Sequence, residues 1–437
     1  MVTLGCPKNQ VDSEVMSGLL AENYSLTEDT EEADIIVVNT CTFIQSAKEE
    51  SIETIFEMAS LKDHGSCQTL IATGCLAQRY GSELMEEIPE LDGVLGTGNI
   101  DEINELLKIP KGKRLSLIKQ GKPDFLHNDK MPRKRSTPDY LGYVKVAEGC
   151  DNYCTYCVIP YVRGNFRSRP EESVTREVQD MAAQGVKEIM VMAQDTTRYG
   201  HDLYGELRLP QLIQKLARIE GIEWIRLMYC YPERFTDELI EVMRQEPKVC
   251  RYIDLPLQHA DNKVLKEMNR RGTIEEAEVL IRKLRKAMPD ITLRTTMITG
   301  FPGETEHEFQ SMVDFIQRVQ FDRLGVFPYS QEESTPAGQR MDQVLLEIRE
   351  QRRELIMQMQ QSISRQRQQR WVERIVTVLL EQKLPDGRWM GRTEGDAPEI
   401  DGQVYITGAQ ASVSIGDMIK VRILEADSYD LMGVVVS

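Results

Sequence analysis

No apolar run in this 437-residue sequence approaches the length of a membrane span, so no membrane-spanning helix is read in it. The opening residues Met1-Val2-Thr3-Leu4-Gly5-Cys6 have neither a basic n-region nor an apolar h-region, and no secretory signal is read there. Histidine is scarce, with five residues, and there is no P-loop, no Rossmann G-x-G-x-x-G and no H-E-x-x-H pattern. ATP hydrolysis and zinc proteolysis therefore find no support. Positive charge is in deficit: 53 Lys and Arg against 70 Asp and Glu leave a net −17. That argues against general nucleic-acid affinity, which rests on phosphate neutralisation, and fits a basic protein partner. Nine cysteines without a secretory signal point to a reducing, cytoplasmic setting in which thiols are available for metal.

What is present is concentrated in one run, Cys150-Asp151-Asn152-Tyr153-Cys154-Thr155-Tyr156-Cys157, a C-x3-C-x2-C loop. A loop of this length can turn three sulfurs onto one metal centre. A [4Fe–4S] cluster normally takes four thiolates, so three would leave one iron open to a non-protein ligand. A structural zinc site is the alternative, but it wants four closed ligands and no further Cys or His follows at ligand spacing. A disulfide suits neither the odd number nor the compartment.

Upstream, strands and helices alternate. Val2–Leu4, Ile35–Val38, Thr69–Gly74 and Val94–Gly96 read as strands, with helices between them, including one that carries Val11, Val15, Leu19 and Leu20. The first strand reads as clipped, and its start is expected further upstream. Such alternation predicts an open, doubly wound parallel sheet whose ligand crevice lies beyond the carboxyl ends of the strands. Cys6, Cys41 and Cys75 each fall just past one of those ends. They read as a second three-thiolate site, with ordinary buried cysteines as the alternative. Cys67, Cys230 and Cys250 show no ligand spacing and read as packing.

A basic run over 111–138, including Lys111, Lys113, Arg114, Lys119, Lys122, Lys130, Arg133, Lys134 and Arg135, reads as a solvated connector. From Tyr140, six strand–helix units predict a partial or complete parallel βα barrel, with chemistry at the carboxyl ends of its strands. Tyr156, Gln194, Asp195, Gln258, Gly300 and Gly303 stand in the loop or at those ends and are the candidate cofactor contacts. His259 reads equally as a site residue or a hydrogen-bonded core histidine. A Gln-rich helix follows, and five short strands from Trp371 predict a small β-barrel. That last segment holds 6 basic and 11 acidic residues, a balance of −5 and a poor phosphate surface. Glu394, Asp396, Glu399 and Asp401 crowd one stretch of it and are expected to face a basic partner. The expected domains are 1–110, the connector 111–138, a barrel over 139–341, a helical linker over 342–370 and a TRAM-like β-barrel over 371–437.

The C-x3-C-x2-C loop, with Tyr156 before its third cysteine, resembles the cluster loop of the radical S-adenosylmethionine (SAM) enzymes. The two cysteine sets, the barrel and the terminal β-barrel together resemble the methylthiotransferases over nearly the whole chain. Gly5-Cys6-Pro7-Lys8-Asn9, Tyr229-Cys230-Tyr231-Pro232, Leu255-Pro256-Leu257-Gln258-His259 and Arg392–Gly402 are similar to the branch that acts on a ribosomal protein. The resemblance implies two [4Fe–4S] clusters, one on Cys150, Cys154 and Cys157 that binds and cleaves SAM, and one on Cys6, Cys41 and Cys75 that carries sulfur. It implies hydrogen abstraction from the β-carbon of an aspartate in small-subunit ribosomal protein twelve, with the methyl group drawn from a second SAM. It also implies a reductant protein such as a flavodoxin or ferredoxin, and a sulfur donor. No side chain is assigned an acid or base role, because the cofactors carry the chemistry. The competing reading within the family is a tRNA methylthiotransferase acting on an adenosine near the anticodon, which the acidic terminal barrel disfavours. A non-catalytic Fe–S or zinc scaffold is the competing reading from another class.

Overall fold

The computed structural model describes residues 1–108, 123–409 and 412–436. Its N-terminal part is a four-stranded sheet of β1 (Val2–Thr3), β2 (Ile35–Thr40), β3 (Thr69–Gly74) and β4 (Gly93–Leu95) in the order 1-2-3-4. All the pairings are parallel. The β2 run Ile-Ile-Val-Val is β-branched and buried on both faces, as a parallel strand covered twice should be. Helix α1 (Pro7–Ala21) packs Val15, Met16 and Leu20 on one face of the sheet, against Val37 and Ile71. Helices α2 (Gln45–His64) and α3 (Cys75–Glu87) cover the other face with Ile55, Met58, Leu76 and Leu84 against Ile36, Val38, Leu70 and Ala72. Helices on both faces are the doubly wound arrangement expected.

The central sheet has six parallel strands: Leu141–Lys145, Glu188–Met192, Trp224–Leu227, Val249–Gln258, Thr292–Thr299 and Arg323–Pro328. They follow one another in sheet order, and the two edge strands do not pair, so the barrel is partial. Helices such as Glu171–Ala183, Asp237–Gln245 and Glu306–Val319 pack its convex face into the largest core. The last of these starts with a reciprocal Thr305–Glu308 capping box. Tyr143, Met190, Met192, Met228 and Tyr252 from the strands cluster with Val11 of α1 and with Leu379 and Ala397 of the C-terminal segment. The open sheet thus receives both flanking parts of the chain.

At the carboxyl side, α1 meets one edge of the sheet, with Asp12 ion-paired to Lys145 and Arg163. On the opposite edge, Lys48 of α2 and Arg79 of α3 pair with Glu332, just past the last strand, at 3.0 and 2.7 Å. The N-terminal part therefore spans the mouth of the half-open barrel.

The C-terminal segment is a closed five-stranded barrel of Ile375–Lys383, Trp389–Thr393, Val404–Thr407, Leu431–Val435 and Met418–Ala426 in that spatial order. It docks near the amino ends of the central strands. Arg392 reaches Glu188 at 2.6 Å, and Arg323 reaches Asp396 at 2.5 Å. This corrects one expectation. Asp396 is buried on Arg323 and Thr393, Asp401 accepts from the Tyr252 hydroxyl at 2.7 Å, and Glu394 accepts from the Arg251 amide at 2.9 Å. Of the four crowded carboxylates only Glu399 is exposed. The stretch is an internal docking seam, whose buried arginines the charge balance of one segment could not reveal.

A second correction concerns the connector. Lys111, Lys113, Arg114, Lys119 and Lys122 lie outside the described residues. Arg133 is not solvated: it bridges Glu14 of α1 and Glu177 of the barrel, and its Nη2 donates to the Tyr143 carbonyl at 2.9 Å. The segment over 123–138 is a packed strap in which Arg133 finds buried acids and Arg135 donates to Gln184 and the Leu141 carbonyl, while Lys130 and Lys134 stay exposed as expected.

Candidate functional site

The first thiol set is held in a rigid loop. Gly149 has φ +79°, and a Cβ there would fall 2.1 Å from the Asn165 carbonyl oxygen, so only glycine opens the loop. The Cys150 amide donates to the Gly164 carbonyl at 3.0 Å and the Cys157 amide to the Cys154 carbonyl at 2.9 Å. The side chain of Asn152 donates to Asp195 at 3.0 Å, and Arg234 donates to both. Asn269 donates to the carbonyls of Asn152 and Tyr153 at 3.1 and 2.9 Å. Asp195, a candidate from sequence, is fully buried and anchors this loop from the end of the second barrel strand. Tyr156 is half-buried, with half-buried Tyr231 and buried Arg270 around Cys154; desolvation, then the Cys154 sulfur, pushes its hydroxyl well up.

The second set forms as the parallel topology requires. Cys6 is the N-cap of α1, Cys41 follows β2, and Cys75 is the first residue of α3. Gly74, at φ +92°, lets the chain turn sharply past Asn39. Asn9 clamps the cradle by donating to the carbonyls of Leu4 and Thr40 at 2.9 and 3.0 Å.

A single guanidinium joins the sets. Arg163, at the end of the helix Ile159–Arg163, donates Nε to Cys75 Sγ at 3.4 Å, Nη2 to Asn9 at 2.5 Å, and Nη1 to Asp12 and Glu148 at 2.5 and 3.2 Å. Burial opposes its charge, yet Asp12, Cys75 and Glu148 hold its pKa well above the ordinary value.

The donor chemistry fits thiolate-held clusters. Burial pushes the Cys41 thiol up to about 12, with Cys75 beside it adding to the shift, and pushes Cys150 to about 12 as well. Cys75 and Cys157 are also raised by burial; Arg163 then opposes the shift at Cys75 while Cys6 adds to it, and Cys154 adds to it at Cys157. Crowded buried thiols of this kind ionise when a cationic centre takes the charge. Among the described residues no three Cys, His, Asp or Glu close on a single metal ion; a four-iron cluster spreads its ligands wider. Thr42 Oγ1, next to Cys41, is buried without a partner.

Residues 1–96 match the family described as "Uncharacterized protein family UPF0004", residues 144–316 the "Radical SAM superfamily", and residues 372–436 the "TRAM domain". The chain is 64% identical over 436 residues to the ribosomal protein uS12 methylthiotransferase RimO of Desulfitobacterium hafniense, covering 100% of this chain and 98% of that protein. It is 50% identical to the protein so named in Heliobacterium modesticaldum, covering 99% and 94%, and 48% identical to that of Clostridioides difficile, covering 99% and 97%. The chain belongs to the uS12 methylthiotransferase family. Among solved structures, the radical SAM methyltransferase TsrM from Kitasatospora setae shares the fold, with a TM-score of 0.56 at 18% identity over 75% of this chain and 73% of that one. A radical SAM methylthiotransferase with a parallel N-terminal domain and a terminal β-barrel is thus the class that the sequence pattern anticipates, and the superfamily implies a [4Fe–4S] cluster and SAM.

The other sequence candidates of this methylthiotransferase sit as follows. Gln194 donates to Glu148 at 2.6 Å, and its Oε1 is buried without a partner. Gln258 ends its strand with φ +74°. Gly300 and Gly303 have positive φ, and the space beside them is filled by Arg349 and by Arg340 with Asp342. His259 is fully buried: Nδ1 accepts from the Asp261 amide at 3.1 Å, so Nε2 carries the proton and donates to Glu304 at 3.1 Å. That is the core reading of His259. Cys67, Cys230 and Cys250 are buried apart from both sets, packed in three different hydrophobic clusters. Sequence reasoning missed Arg163 and Asp12, which carry no motif signal: their partners lie across a domain boundary.

Proposed function

We propose that the chain inserts a methylthio group at the β-carbon of an aspartate in ribosomal protein uS12. The observation that carries this reading is the seam at Arg163, where two three-cysteine sets from separate domains meet at the carboxyl edge of one partial barrel. In it, Cys150, Cys154 and Cys157 hold one [4Fe–4S] cluster and Cys6, Cys41 and Cys75 the other, with Tyr156, Gln194, Asp195, Gln258, Gly300 and Gly303 around the SAM position. When bound, the clusters and SAM supply the radical, the sulfur and the methyl group that an unactivated C–H bond requires.

The protein's contribution is placement. Asn152, Asp195 and Arg234 fix the cluster loop, Arg163 fixes the N-terminal set against it, and the N-terminal domain across the barrel mouth limits water. The division into 1–110, 111–138, 139–341, 342–370 and 371–437 follows these roles. A flavodoxin- or ferredoxin-like reductant and a sulfur donor complete the cycle, in the cytoplasm.

The test incubates anaerobically reconstituted, reduced protein with SAM, purified uS12 and bulk tRNA together. About eight irons per chain are expected, as two cubanes, and a methylthio mass increment on a uS12 aspartate. Changing Cys150, Cys154 and Cys157 to Ala should remove about half the iron and stop SAM cleavage. Methylthiolation of a tRNA adenosine with uS12 untouched would replace this reading.

A further inference from the structure

Every buried lysine and arginine among the described residues donates to an oxygen, with one exception. Lys145, Arg163, Arg169, Arg226, Arg323 and Arg392 all reach carboxylates. Arg352 does too, while Arg270 and Arg349 reach carbonyls. Lys8 reaches none. It is 6% exposed, and its Nζ stands 3.0 Å from the centre of the Tyr229 ring. A ring face offsets only part of what an ammonium loses on leaving water.

Burial works against the Lys8 ammonium; the Cys6 sulfur supports it most, followed by the carboxylates of Glu148 and Asp254, and both carboxylates are committed. Glu148 accepts from Lys145, Arg163 and Gln194; Asp254 accepts from Arg294 and the Tyr229 amide. The ammonium therefore faces the seam between the N-terminal domain and the carboxyl edge of the barrel with no carboxylate of its own. The seam opens there, because Cys6 and Tyr229 both keep partial exposure. The backbone that carries Lys8 is fixed. Pro7 begins α1, and Asn9 is tied to the carbonyls of Leu4 and Thr40. The positive end of a 15-residue helix adds to the field.

We propose that Lys8 receives the side-chain carboxylate of the aspartate to be modified. The inference rests on the proposed function and names the residue that reads its substrate. The carboxylate carbon is bonded to the β-carbon, so anchoring one fixes the other to within a bond, next to Cys6. A neutral amide or a nucleobase cannot supply the missing charge. A lysine suits this task because it offers a compact point charge rather than a fork.

The test is a double-mutant cycle on binding, read by fluorescence anisotropy of labelled uS12 with anaerobically reconstituted protein. Lys8→Met and Lys8→Arg are crossed with uS12 in which the target aspartate is intact or changed to asparagine, and iron content reports folding. Lys8→Met should weaken the aspartate form by about thirtyfold or more. It should weaken the asparagine form by less than about threefold, and Lys8→Arg should recover part of the loss. Equal losses for the two forms would reveal a structural role and overturn the proposal, as would no loss at all. Wild-type protein that binds uS12 no better than an unrelated basic protein would overturn the proposed function together with this anchor.

Discussion

Arg163 donates through Nε to Sγ of Cys75, at 3.4 Å, across 88 residues of sequence. Arg163 ends the helix that starts just past Cys157, and the next carbonyl, that of Gly164, accepts from the Cys150 amide. Cys75 begins α3 of the other domain. A displacement of either thiol set is therefore transmitted to the other through one buried, fully engaged guanidinium. The proposed two-cluster chemistry would need a fixed separation, and this guanidinium is the side chain that would hold it.

If Cys6, Cys41 and Cys75 hold a cluster as proposed, Arg163→Met should lower its reduction potential, because hydrogen bonds to cluster sulfurs help to set that potential and favour the more reduced state. It should also cost about 3–5 kcal/mol of stability, since Asp12 and Glu148 lose a buried partner. Arg163→Lys keeps the charge and loses the fork, and should fall between. A redox titration followed by electron paramagnetic resonance checks the first point and denaturant unfolding the second. Identical midpoints in wild type and Arg163→Met would remove the electronic role.

Gly149→Ala should abolish the barrel cluster without touching a ligand. The added Cβ would meet the Asn165 carbonyl oxygen at 2.1 Å, on a backbone with φ +79°. The left-handed conformation alone costs about 1–2 kcal/mol for a residue with a Cβ, and backbone cannot step aside as a side chain can. With two clusters as proposed, iron content should drop by about half, as in the variant lacking Cys150, Cys154 and Cys157. A full complement of iron in Gly149→Ala would show that the loop has slack.

What was legible in the sequence was what short-range pattern encodes. The six central strands and the five strands of the terminal barrel are both present, as the strand–helix alternation and the short β-rich runs after Trp371 predicted. Cys6, Cys41 and Cys75 were placed at one edge by topology alone. Arg163, Asp12, Arg133 and Lys8 were not legible. Each is one charge among many along the chain, and its meaning comes from burial opposite a residue of another domain. The carboxylates Asp396 and Asp401 misled for the same reason, since composition counts charges but not the arginines that bury them.

The strap residue His127 should make the fold acid-sensitive. Burial, and then Arg169, lowers its pKa to about 4, and Arg169 Nη1 donates to its Nε2 at 2.9 Å, which fixes a neutral ring. Unfolded, the ring titrates near 6.5, so the unfolded state binds the extra proton and stability is lost as pH falls from about 6.5 towards 4. The linkage amounts to about 2 kcal/mol between pH 7 and 5. Burial opposes the charge of neighbouring Glu177, but Arg169 and Arg133 hold its pKa well below the ordinary value, so it adds a further loss below about pH 4.5. Urea unfolding at pH 7 and pH 5 should show the loss in wild type and a smaller one in His127→Gln. Equal slopes would contradict the assignment.

Docking of the terminal barrel should depend on Arg392. Its guanidinium is buried between domains, pairing with Glu188 at 2.6 Å and Glu381 at 2.8 Å and donating to the Asp396 carbonyl at 2.9 Å. Glu188 opens a central strand and is shared with Arg226 at 2.8 Å. Replacing Arg392 with Met leaves the fully buried Glu188 one cation short, a loss of about 3–5 kcal/mol. Because Arg392 belongs to the terminal barrel and Glu188 to the central sheet, that loss falls on their docking as well as on either fold. Limited proteolysis should then cut at the long helix Leu346–Gln368, which packs between them, while iron content stays at the wild-type level. Asp396→Lys should do the same or worse by setting a cation against Arg323. Glu399→Lys, at the one exposed carboxylate of the stretch, should change stability by less than about 0.5 kcal/mol. If Arg392→Met resists the protease as wild type does, the seam is held by its apolar contacts at Leu379 and Ala397 instead.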